Sequence, residues 1–242
     1  MQQAKKFDDL RAVFVNGSIK KDKTGSHTQY LIDKAAGIME HEGVAVDHIY
    51  ALDYPIAFGM VKDGAENGQP DDAWPMLQKR ILDADILVLA TPIWLGAISS
   101  VTSLVIERLY AYSGDRNEKG QYVYYGRVGG CMITGNEDGM KHCARDILFC
   151  LQHIGYMIPP QADCGWVGEA GPGQSYGDPI KGTDARTGFD NDFTNRNVTF
   201  MAWNLMHAAR MLKDAGGWPA VGNTMDGWEQ VANAKDPNPE YR

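Results

Sequence analysis

The segment Asp85-Ile86-Leu87-Val88-Leu89-Ala90, halted by Thr91-Pro92, limits what this chain can fold into more than any other. A short unbroken apolar run between turn residues is the signature of a strand buried on both faces. Four further runs have strand character: 11–16, stopped by Gly17 and Ser18, then 44–50, 128–134 and part of 161–167. Between them, apolar residues recur at helical spacing. Leu31, Ala35, Ile38 and Met39 form one stripe, and Trp74, Leu77, Ile81 and Ala84 a second. Ile98, Val101, Val105 and Leu109 form a third, and Ala144, Ile147 or Leu148, Leu151 and Ile154 a fourth. A long helix is expected near 192–213, with Val198, Met201, Leu205, Ala208 and Leu212 on one face. Crossovers of this length cannot be hairpins. The pattern therefore predicts an α/β chain: a doubly wound, five-stranded parallel sheet with helices on both faces.

At 242 residues the chain has room for one large domain and a tail. The reading places the domain at 1–213 and a C-terminal extension at 214–242, rich in Gly, Pro and Asn yet carrying Trp218 and Trp228. The connection 51–71 reads as irregular. With 23 Lys and Arg against 31 Asp and Glu, the formal charge is -8, which argues against nucleic acid and anionic membranes as partners. No apolar run approaches the ~20 residues of a membrane span. Lys5, Lys6, Asp8 and Asp9 precede any apolar stretch, so no secretory leader and a cytoplasmic location are expected. The four cysteines, at 131, 143, 150 and 164, form no Cys-x-x-Cys pair and no Cys/His ligand pattern. Zinc, iron–sulfur clusters and a disulfide scaffold are not expected, nor is any metal site.

In an open parallel sheet, ligands bind beyond the carboxyl ends of the strands, where the strand order reverses. Three strand ends here are rich in small, hydroxylic and amide residues. The first runs Asn16-Gly17-Ser18-Ile19-Lys20, through a polar stretch, to Gly25-Ser26-His27-Thr28. Hydroxyls and open amides at a helix start suit a phosphate dianion, although Ser26 or Thr28 could simply cap the helix. The second, Thr91-Pro92-Ile93-Trp94-Leu95-Gly96, can lie along a flat ring. The third, Thr134-Gly135-Asn136-Glu137-Asp138-Gly139, offers close backbone approach, and Glu137 and Asp138 equally suit a helix start. Other phosphate motifs fail. Gly17 lacks the partners of Gly-x-Gly-x-x-Gly, no Gly-Lys-Ser/Thr occurs, and Asn16 and Thr91 stand where a phospho-acceptor domain needs aspartates.

Together these segments resemble the NADPH-dependent FMN reductase branch of the flavodoxin-like superfamily. The family pattern is Gly-Ser, a short loop and Ser/Asn-x-Thr, then Ser/Thr-Pro-x-Trp/Tyr-x-Gly, then Thr-Gly. Here it is met by Gly17-Ser18, Ser26-His27-Thr28, the 91–96 segment with Glu107-Arg108 closing the next helix, and Thr134-Gly135. The resemblance covers about residues 11–167. It implies a flavodoxin-like domain in which Ser18, Ser26, His27 and Thr28, with Lys20 beside them, hold the FMN phosphate. It assigns the isoalloxazine and ribityl chain to Pro92, Ile93, Trp94, Leu95 and Gly96, and the opposite ring edge to Thr134, Gly135, Asn136, Glu137, Asp138 and Gly139. The segment 165–169 is a further candidate to reach the flavin, across a dimer. Two departures stand out: Ser103 replaces a lysine of many relatives, and 53–58 lacks the cysteine cluster of the iron–sulfur flavoproteins.

The implied activity is an FMN-dependent oxidoreductase taking electrons from NADPH or NADH and passing them to a small acceptor such as a flavin or quinone. The flavin carries such chemistry, so no catalytic side chain is assigned. The resemblance also implies a homodimer or higher homo-oligomer. The competing readings are a non-enzymatic flavodoxin-type electron carrier and an FMN-bound regulatory protein. The long first loop and the extra length argue against the carrier.

Overall fold

The computed structural model describes residues 6–136, 138–171 and 173–232. Six strands appear in chain order: β1 (Arg11–Asn16), β2 (Ala45–Tyr50), β3 (Ile86–Trp94), β4 (Ala97–Ile98), β5 (Val128–Gly135) and β6 (Asp163–Val167). The helices are α1 (His27–His41), α2 (Trp74–Leu82), α3 (Ser100–Tyr110), α4 (Met140–Ile154), α5 (Asp192–Asp214) and α6 (Met225–Ala232). The sheet order is β2-β1-β3-β5-β6, every pairing along it parallel, with β4 antiparallel on the end of β3. This is the flavodoxin-like doubly wound arrangement, and the order reverses between β1 and β3. The three strand-end segments meet at that reversal.

Two apolar layers hold the sheet. On one face Phe14, Ile86, Val88 and Met132 pack with Leu31 and Ala35 of α1 and with Val198, Met201 and Leu205 of α5. On the other, Val13, Leu87, Leu89 and Cys131 pack with Trp74 and Leu77 of α2, Val105 and Leu109 of α3, and Ile147 and Leu151 of α4. Alternating residues of β3 thus serve opposite layers, as a period of two requires. Cys131, Cys143 and Cys164 are buried as free thiols and Cys150 is half-buried. Burial pushes the Cys131 and Cys164 thiols well up, so both are inert core residues.

The structure differs from the sequence reading at β3. Thr91-Pro92 does not end the strand, which runs on to Trp94 and folds back through β4. The reason is local. β1 is paired with β3 only as far as Asn16↔Ala90, while β5 continues to Pro92↔Thr134. Pro92 therefore sits where one edge of β3 is already free, and its missing N–H breaks no ladder.

The irregular connection after β2 is organised by one buried ion pair. The Asp72 carboxylate accepts from the amides of Ala57 (2.9 Å), Gly64 (2.8 Å) and Trp74 (3.2 Å), and from the Arg108 guanidinium at 2.6 Å. Arg108 also donates to the carbonyls of Ala57 and Lys62. Both side chains are fully buried. Burial alone would raise the Asp72 pKa, but the amide bonds and the guanidinium outweigh it and hold the carboxyl below its usual range. In the 214–232 segment, Arg116 bonds Asp226 and Glu229 of α6, while Trp218 and Trp228 each stay 40% exposed.

Candidate functional site

At the carboxyl ends of β1, β3 and β5 lies a cavity of about 460 Å³, walled by Lys20, His27, Thr28, Pro92, Ile93, Trp94, Leu95, Thr134, Gly135 and Asn136. Each wall has a local cause. Past β1, the Gly17 amide donates to the Ala90 carbonyl (2.8 Å) and the Gly17 carbonyl accepts from Ser99 (2.6 Å). A β-carbon at Gly17 would stand 2.0 Å from the Thr102 hydroxyl, so only glycine lets this turn press against α3. The Asn16 side chain accepts from the Ser18 amide (2.9 Å) and donates to Gln29 (2.9 Å), tying the start of the loop to α1. Lys20 reaches back to the Gly25 carbonyl at 2.9 Å and closes the loop.

Ser26 caps α1, its hydroxyl accepting from the Gln29 amide at 3.2 Å, and it is fully buried. The capping reading therefore accounts for Ser26. The Ser18 hydroxyl accepts from the Lys20 amide at 3.3 Å, and neither serine lines the cavity. What faces the cavity is the first turn of α1, His27 and Thr28, where the helix presents amides and the positive end of its dipole. The Thr28 and Thr134 hydroxyls lie 2.8 Å apart, joining the first and third segments.

The second wall is a two-residue hairpin. Trp94 pairs with Ala97, and both turn residues are left-handed, Leu95 at φ 49° and Gly96 at φ 75°. Leu95 is 97% exposed and Trp94 51%. Gly96 lies outside the cavity wall, pressed against Gly139, where a β-carbon would come within 2.7 Å of the Gly96 α-carbon. Gly139 is the N-cap of α4 at φ 108°, with no side-chain cap. Asp138 is exposed and neither lines the cavity nor caps α4 as the sequence suggested, and Glu137 lies outside the described residues.

Sequence reasoning missed a fourth wall. Gly171, Ser175 and Tyr176, from the irregular segment after β6, also line the cavity. Asn136 fastens this strap, donating to the Gly173 carbonyl (2.9 Å) and accepting from the Ser175 hydroxyl (3.0 Å). The Tyr176 carbonyl lies 2.8 Å from His27 Nδ1, and Asp178 stands 3.7 Å from the same nitrogen. Arg186 donates to the Gly177 carbonyl (2.8 Å) with its guanidinium 5.0 Å over the Tyr30 ring. The strap shows no apolar period. Its one legible trace was the glycine density around 165–177. Of the 165–169 segment, Trp166 packs on Tyr176 (5.8 Å between rings) and none of the five lines the cavity.

The site is thus a cleft with an apolar hairpin on one side, a helix N-terminus and a lysine on the other, and hydroxyls between. The chain matches the NADPH-dependent FMN reductase family over residues 10–167, and it belongs to that family. It is 35% identical to the 8-demethyl-8-aminoriboflavin-5'-phosphate synthase of Streptomyces davaonensis over 210 residues, 85% of this chain and 79% of that protein. The solved structure of RosB with bound 8-demethyl-8-formylriboflavin-5'-phosphate superposes with a TM-score of 0.79 at 31% identity, covering 96% of this chain and 95% of that one. A Mycobacterium bovis protein named divalent metal cation transporter MntH is 55% identical over 230 residues, 90% of this chain. The chain spans only 33% of that relative's length. No described helix is long and apolar enough to cross a membrane.

Proposed function

We propose that this cavity binds FMN and that the chain is an FMN-dependent oxidoreductase, taking electrons from NADPH or NADH and passing them to a small acceptor. The observation that carries the reading is the pairing of an anion-seeking helix start with a flat apolar wall in one cleft at the sheet's switch point. The residues present fit the group. The amides of His27 and Thr28 and the Thr28 hydroxyl, with Lys20, would take the phosphate. Pro92, Ile93 and Trp94 would take one ring face, and the backbone at Thr134 and Gly135 the ring edge. When bound, the flavin supplies the hydride and electron chemistry. The chain's part is to fix the ring against the hairpin, screen it with the strap and hold the phosphate charge. A visible spectrum of the purified protein, followed by anaerobic addition of NADPH and then NADH, tests this. A bleached flavin band that returns with a quinone is expected. A colourless protein that takes up no added FMN would overturn it.

A second reading is favoured by the relatives whose named product or bound ligand is itself a flavin 5'-phosphate altered at position 8. In that reading the same cleft holds the flavin as substrate. Mass spectrometry of flavin extracted after prolonged incubation separates the two: unchanged FMN supports the cofactor role, and a product altered at position 8 supports the substrate role.

A further inference from the structure

One side chain of α1 both lines the cavity and holds the strap. His27 Nδ1 lies 2.8 Å from the Tyr176 carbonyl and 3.7 Å from the Asp178 carboxylate. The other oxygen of Asp178 accepts from the Ser175 amide at 2.7 Å, which fixes the carboxylate within the strap. A β-carbon at Gly177 would stand 2.3 Å from the Tyr30 ring, so this part of the strap lies directly on the helix. The strap falls beyond residues 10–167, the stretch that the family accounts for. Both groups facing Nδ1 are acceptors, so that nitrogen carries a proton. In the neutral ring Nε2 then has only a lone pair, and it has no hydrogen-bond partner among the described residues. His27 opens the first turn of α1, the anion-seeking wall of the cleft. A lone pair there opposes an anion, whereas a second proton turns Nε2 into a charge-assisted donor to it.

The charged groups around the ring decide when that proton is favoured. Asp178 on the strap is the one carboxylate against it. Two cations stand nearby: Lys20, on the Gly25 carbonyl, and Arg186, on the Gly177 carbonyl. On α1 itself the Tyr30 hydroxyl donates to the Thr24 carbonyl, and on the β5 side Thr134, Gly135 and Asn136 carry no charge. A phosphate dianion outweighs the two cations and reverses the local balance. We infer that His27 takes a proton from solvent onto Nε2 when a phosphate monoester enters the cleft, and that the imidazolium ties the strap to the anion. Tyr176 and Asp178 are its two contacts on the strap side. The strap is thus fastened by the 5'-phosphate and not by the ring. This inference rests on the cleft holding a flavin phosphate, as proposed above.

Calorimetric titration with FMN at pH 7.5, in Tris and in HEPES, tests it on the purified chain after removal of any bound flavin. Free FMN is mostly dianionic there, so a proton taken up belongs to the protein. The buffers differ in ionisation heat, and the gap between the two apparent enthalpies counts protons. The expected result is uptake of at least about half a proton per FMN, because an ordinary imidazole is mostly neutral at that pH. Amide exchange over 173–178 should slow about tenfold on binding. His27→Gln keeps a donor for the Tyr176 carbonyl but cannot titrate. It should abolish the uptake and the added protection, and bind FMN about tenfold more weakly. Asp178→Asn should lower the uptake and cancel the added protection, and it decides the matter if His27→Gln fails to fold. FMN binding with equal heat in both buffers, or uptake undiminished in His27→Gln, overturns the inference and leaves the cofactor reading standing. Uptake without added protection of the strap overturns the tie to Tyr176 and Asp178. No binding of FMN in either buffer overturns instead the reading of the cleft on which the inference rests.

Discussion

The hydroxyls of Thr28 and Thr134 meet at 2.8 Å across 106 positions of sequence, both buried at the floor of the cleft. They lock the first turn of α1 to the end of β5. Thr28→Val leaves the Thr134 hydroxyl buried without its partner, which should destabilise the fold by about 1–3 kcal/mol. Adding Thr134→Val should recover most of that loss. If the cleft holds a flavin phosphate, the double variant should still bind FMN about tenfold more weakly, since a donor to the anion is gone. Urea melts and fluorescence titration read the two quantities separately. Affinity that recovers along with stability would place the phosphate away from Thr28.

The strap that closes the cleft hangs on Asn136. Asn136→Ala removes its bonds to the Gly173 and Gln174 carbonyls and to the Ser175 hydroxyl. The expected outcome is faster amide exchange confined to 169–178 and a flavin dissociation rate raised about tenfold, with global stability lowered by no more than ~1–2 kcal/mol. Uniform loss of protection along the chain would show that Asn136 supports the whole fold.

Gly139 tests the contact between the second and third segments. Alanine there must adopt φ 108° and drive a methyl into Gly96, so the hairpin has to move. Gly139→Ala should cost about 1–3 kcal/mol and weaken flavin binding, while the far end of α4 keeps its exchange protection. Undiminished affinity would mean that the hairpin's position is unimportant to the ligand.

The Asp72–Arg108 pair gives a pH prediction. The Asp72 pKa is depressed in the folded state, so its stabilisation is present above the unfolded value near ~4 and is lost as pH falls through the lower folded value. Asp72→Asn leaves Arg108 buried and unneutralised, at a cost of about 3–5 kcal/mol near neutral pH. The variant's stability should also fall less steeply than the wild type's as pH drops below ~4. Denaturant melts across that range check the slope. Parallel wild-type and variant curves would assign acid sensitivity to other carboxylates.

Regular periods made the sheet legible. Runs such as 85–90 and the stripe of Val198, Met201, Leu205 and Leu212 carry their burial in their spacing, so their faces follow from period alone. The cavity walls at His27, Thr28, 92–95 and 134–136 were legible because they lie where strands end. Pro92 misled because a proline stops a strand only where its N–H is needed, and that depends on how far β1 extends. The strap was hidden because its contacts, Asn136 to Gly173 and His27 to Tyr176, join segments with no shared period. Ser26 was read two ways for a sound reason: capping and anion binding select the same residue types at a helix start.

Leu95 sits where a hairpin of this type favours asparagine or glycine, in a left-handed conformation that a branched aliphatic side chain resists. The substitution Leu95→Asn would relax the turn and remove an apolar group from water. A stability screen blind to ligand and partner should therefore select against the native residue. Leu95 lines the cavity, so a consensus redesign of this turn would raise the melting temperature while removing an apolar group from the cavity wall.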